Sequence, residues 1–99
     1  METEVIFRKV KSGKFKGDIF ALFPYDVVTL EGDVGCYMHI GQHSAADYNH
    51  CINTSIPAKE HEFAPLKREL EEDIGYNLRI VKKRNYDKYL ENYYKIRKP

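Results

Sequence analysis

The stretch E-F-A-P-L-K-R-E-L-E-E-D-I-G-Y-N-L-R-I-V-K-K, Glu62 to Lys83, decides the fold class. Phe63, Leu66, Leu70 and Ile74 recur at i, i+3, i+7 and i+11, one stripe of an α-helix. Pro65 belongs in a first turn, because deeper it removes a hydrogen bond and crowds the preceding turn. The helix is therefore predicted to begin near Glu60–Glu62, with a kink at Pro65. Gly75 suits the left-handed residue that closes a helix. Tyr76 to Lys83 then reads as a strand, with Leu78 and Ile80 on one face and Val81 shared.

Upstream, T-E-V-I-F-R-K-V (Thr3 to Val10) alternates as a strand, with Val5 and Phe7 inward and Glu4, Ile6 and Arg8 on the other side. Lys11 to Lys14 is turn chemistry. D-I-F-A-L-F (Asp18 to Phe23) is a second strand that Pro24 ends, paired with the first as a hairpin turning near Gly17. Glu31-Gly32-Asp33 is a turn, and Gly35 to Ile40 a third strand. Ser44-Ala45-Ala46-Asp47 has the spacing of a helix-opening capping box, with a short helix to about Asn53. The competing reading is a loop and then a strand over His50 to Ile56. Downstream, Asn85 caps a last helix through Lys98, with Tyr86, Tyr89, Leu90, Tyr93 and Ile96 as its apolar positions. The order β-β-β-(α)-α-β-α gives a single α+β domain: a small, mostly antiparallel sheet of three to five strands packed by two or three helices.

Composition bounds the function. A 99-residue chain of 42% hydrophobic and 31% charged residues holds one modest core and is no disordered tail. Its apolar runs of about five residues are far short of a membrane span. Met1-Glu2-Thr3-Glu4 is acidic and lacks an apolar core, so no secretory signal is expected. Two cysteines make no disulfide framework, and a reduced cytoplasmic setting is expected.

The formal charge of +1 hides an uneven distribution. Residues 31–60 carry a net −3, residues 61–81 a net −2, and residues 82–99 a net +5. Cys36, His39, His43, His50 and Cys51 all fall between residues 36 and 51. Tetrahedral zinc needs four such ligands, but neither cysteine belongs to a C-x-x-C pair. Cys36 and His39 would also point to opposite faces of a strand. Cys51 beside His50, with Asp47 one turn earlier, is the best arrangement for a nucleophile, but no oxyanion loop accompanies it. No catalytic residues, metal ligands or cofactor are assigned.

Two binding segments remain. Gly41-Gln42-His43-Ser44 precedes the expected helix start, where free N–H groups and polar side chains can hold an anion. Gln42, His43, Ser44, Asp47 and Tyr48 are the candidate binding residues there. The second is the basic, tyrosine-rich tail, with Lys82, Lys83, Arg84, Tyr89, Tyr93 and Tyr94 as an interaction face. Tyrosines suit a protein partner or a homodimer; interleaved with lysines they also suit nucleic acid.

The strings G-Q-H-S-A-A-D-Y (Gly41 to Tyr48), P-A (Pro57-Ala58), E-F-A-P-L-K-R-E-L (Glu62 to Leu70) and I-G-Y-N-L-R-I-V-K-K (Ile74 to Lys83) resemble a group of short uncharacterised proteins of gut Bacteroides-type bacteria, their phages and mobile elements. The resemblance brings no activity and no catalytic residues. It implies a single-domain cytoplasmic accessory protein. The leading expectation is a non-enzymatic module acting through a protein partner or self-association. The alternatives are a nucleic-acid accessory protein using the tail and, behind it, a Cys/His enzyme or zinc site in residues 36–51.

Overall fold

The chain was analysed as a computed structural model, which describes residues 1–38 and 43–97. Thr3–Val10 forms β1 and Ile19–Val27 forms β2, paired antiparallel as the predicted hairpin. Both strands are buried on both faces. Val5, Phe7, Ala21 and Phe23 belong to one core. Ile6, Phe20 and Leu22 belong to a second. That is why these strands read as apolar runs, unlike strands of an antiparallel sheet with one wet face. It also corrects the expected outward side of β1: Ile6 and Arg8 are both buried.

β2 does not stop at Pro24. It continues to Val27 with a shift of register between Phe23 and Val27, so the proline lies in a bulge, where its missing N–H disturbs no ladder. Val34–Tyr37 forms β3, and the end of the predicted third strand, from His39, lies outside the described residues. His43–Ala46 forms β4, antiparallel to β3, with Ser44 opposite Cys36 and Ala45 opposite Gly35.

The helix expected from Ser44 therefore begins later. Asp47 is its N-cap, accepting the backbone N–H of His50 at 3.1 Å, and α1 spans Tyr48–Asn53. Asp47 sits immediately before the first helical residue, where a carboxylate satisfies an otherwise unpaired N–H. Ser44 is drawn into the strand ladder instead. The predicted strand over His50 to Ile56 survives only as β5, Ser55–Pro57.

The helix that decides the fold class is present. α2 covers Glu60–Arg68, with Pro65 as its sixth residue rather than in its first turn. It continues as a π-helical turn, Glu69–Ile74, closed by Gly75 at φ +96°. Phe63, Leu66 and Leu70 seal the first core, while Ile74 stays exposed. The following strand is shorter than expected: β6 is Leu78–Ile80. α3, Tyr86–Arg97, begins at Asn85, whose side chain accepts the Lys88 N–H at 3.2 Å. With α1 it covers the second core through Tyr48 and Tyr89.

The sheet order is β4-β3-β2-β1-β5, with β6 also paired to β1. The outer edge of β1 is shared: Arg8–Val10 pair antiparallel with β5, and Thr3–Val5 pair parallel with β6. The molecule is thus a mostly antiparallel α+β sheet carrying helices on both faces.

Candidate functional site

The two ends of this sheet differ. At the β1 end, two short strands cap the edge and Arg8 ties β5 in place. Its guanidinium donates to Ser55 Oγ at 2.8 Å, to the Ser55 carbonyl at 2.7 Å and to the Ile52 carbonyl at 3.1 Å. Burial lowers the Arg8 pKa, with nearby Tyr48 partly opposing it, but the three acceptors satisfy its N–H groups. The Ser55 hydroxyl donates onward to the Cys51 carbonyl. Pro57 offers no N–H at the outer side of β5.

At the other end β4 has one neighbour. Among the described residues no strand pairs with its outer edge. Its sequence, His-Ser-Ala-Ala, has no charged carboxylate or lysine, no proline and no bulge, and His43, Ser44 and Ala45 are exposed. Of the devices that blunt natural edges, this strand has shortness, at four residues, but no charge, proline or bulge.

The predicted polar cluster is divided by the sheet. His43 lies on the first-core face, its ring edge-on to Tyr37 with centroids 4.7 Å apart and its Nε2 3.3 Å from the Tyr76 hydroxyl. Tyr48 is buried in the opposite core, and Asp47 is spent on capping α1. Ser44 shares a side-chain hydrogen bond with the Cys36 thiol. Gln42 and His39 lie outside the described residues.

Burial pushes the Cys36 thiol up to about 11, helped by Cys51 and partly offset by the Ser44 hydrogen bond. Cys51 is raised too, by burial and then by Asp47 and Asp33. A thiol must ionise to act as a nucleophile or metal ligand, and both sites oppose that. His50 points to solvent, and it is its backbone, not its ring, that meets Asp47. Among the described residues no three His, Cys, Asp or Glu side chains come together as metal ligands.

The tail residues divide by depth. The Arg84 guanidinium is sandwiched between the rings of Tyr48 and Tyr89, 4.0 and 3.9 Å from their centroids. The backbone N–H of Arg84 also donates to the Tyr48 hydroxyl at 3.0 Å. Tyr89 is buried and its hydroxyl donates to the Gly32 carbonyl at 2.7 Å. Gly32 has φ +94°, and a Cβ there would collide with the Tyr89 hydroxyl and the Tyr93 ring. Tyr93 is half-buried and stacks on Tyr89. Tyr94, Lys82 and Lys83 are exposed. Arg84 and Tyr89 thus hold α3 and α1 together through cation–π contact.

Sequence reasoning missed the edge itself, since the hairpin β3–β4 was hidden by the helix-like spacing of Ser44 to Asp47. Ala45 and Ala46, strong helix formers, reinforced that spacing rather than signalling a strand. Among the described residues no helix is long and apolar enough to cross a membrane. No family model, no curated protein and no solved structure matches the chain.

Proposed function

We propose that this chain is a small non-enzymatic binding module that self-associates by strand addition at β4. The observation that carries this reading is the outer edge of His43–Ala46, which has no charge, proline or bulge and no strand partner among the described residues. An extended segment laid against such an edge gains main-chain hydrogen bonds directly. A second copy is a suitable occupant. Two antiparallel β4 strands form a self-complementary twofold contact, and neither brings a carboxylate or lysine to repel its twin. Four residues per strand make a small contact, so the dimer is weak and concentration-dependent.

The unbridged cysteines fit a reducing cytoplasm. The nucleic-acid reading loses two of its residues, because Tyr89 and Arg84 are engaged inside the protein. Sedimentation across a wide concentration range tests self-association. The mass should rise from that of the 11.6 kDa monomer toward twice it. Ser44→Lys, an exposed change that places a charge on each strand, should hold the chain monomeric. A wild-type chain that stays monomeric throughout contradicts the reading.

A further inference from the structure

The bulge in β2 does more than accommodate Pro24. It re-aims Asp26 toward β3, where Gly35 makes room: a Cβ at residue 35 would lie 2.7 Å from the Asp26 carboxylate. The carboxylate lines a cavity of about 470 Å³ between the start of β1, the end of β2 and α3. That volume is within the range of small-molecule sites. Phe23 and Tyr76, stacked with centroids 5.1 Å apart, provide an aromatic wall.

The polar groups around this wall are unequal. Glu4 and Lys88 are paired with each other, and Lys88 also lies over the Tyr25 ring, 4.4 Å from its centroid. Asn92 donates to the Tyr25 carbonyl at 2.9 Å. Asp26 has no hydrogen-bond or ion-pair partner among the described residues, and it is close enough to raise the pKa of Tyr76 after burial has done so. The cavity therefore combines an aromatic side with two carboxylates, Asp26 and Glu2, that form no ion pair among the described residues, while its lysine is already neutralised.

We infer that the cavity binds a small organic cation, an ammonium group on an aromatic body, with the ring against Tyr76, which Phe23 backs from the core, and the ammonium on Asp26. A charge-assisted hydrogen bond supplies orientation, and stacking supplies contact area. The site adjoins β4 through the Tyr76–His43 contact, but Asp26 takes no part in strand pairing at β4, so Asp26→Asn tests it separately.

Titration of the full chain with phenethylamine, followed by amide and side-chain NMR shifts, tests the assignment. Saturable shifts are expected at Phe23, Asp26 and Tyr76. Phenethyl alcohol and phenylacetate should bind at least about tenfold more weakly, and Asp26→Asn should weaken phenethylamine by a similar factor. Asp26 is exposed, so the variant should keep the wild-type spectrum elsewhere. Three results overturn the proposal: no saturable shift around the cavity, phenylacetate binding as well as the amine, or an Asp26→Asn protein that binds phenethylamine unchanged.

Discussion

The sheet has two edges that meet the same problem in opposite ways. The edge of β1 is covered by β5 and β6, which approach in opposite directions, and a buried arginine fastens one of them. Among the described residues β4 pairs only with β3. One edge is built into both cores, whereas the other pairs with a single hairpin partner and adds only the His43–Tyr76 contact and the packing of Ala46. Every terminal strand exposes unpaired N–H and C=O groups; at β5 Pro57 removes one donor and Arg8 holds the strand to the core, whereas β4 has neither device.

The closed edge should be the costly one to disturb. β6 is delivered to β1 by the π-helical turn, whose Leu70 is fully buried. Leu70→Ala should cost about 3 kcal/mol of unfolding free energy in urea, through lost burial and a residual cavity. Arg8→Ala should cost about 2 kcal/mol, because the carbonyls of Ile52 and Ser55 lose their donor inside the protein. A variant at either site that unfolds like the wild type would remove the contrast between the edges.

Beneath the open edge, Cys36 gives a pH signature. Its thiol is held neutral up to about 11 in the fold, above the ordinary value of 9.0. The folded state therefore keeps a proton that the unfolded chain loses. That stability is present in full below pH 9 and is lost as pH rises through 11, falling by about 1 kcal/mol per pH unit at most. Comparison with Cys36→Ser across this window isolates it; parallel curves would refute the burial argument. The smallest effect on stability belongs to Ser44→Lys, about 1 kcal/mol from its lost hydrogen bond to Cys36, although it should abolish association.

The legible part of this molecule was the part whose periodicity reports burial directly. Phe63, Leu66 and Leu70 announced their helix, and Gly75 its end. The β1–β2 hairpin was equally plain. Three features were not legible, each for a physical reason. Burial of Ile6 and Arg8 depends on α1 and α3 covering the second face, a tertiary fact absent from the local pattern of β1. Ser44 to Asp47 satisfies capping-box spacing, but pairing with β3 outweighs that local preference. The tail tyrosines look like an interaction face because Tyr is amphipathic; only the fold shows that Tyr89 turns inward to Gly32 while Tyr94 stays outside. Of the candidate binding residues, His43 and Ser44 do lie on the open edge, whereas Asp47 and Tyr48 build α1.

Amide hydrogen exchange measured at low and high protein concentration tests the central claim most directly, because it reads both edges at once. The outward-facing amides of His43–Ala46 should exchange rapidly in dilute solution and become protected as concentration rises, while the amides of Ser55, Ile56 and Leu78–Ile80 should not change. Exchange at β4 that is independent of concentration, or concentration-dependent protection at β5 and β6 instead, would contradict the assignment of the open edge as the surface through which the chain associates.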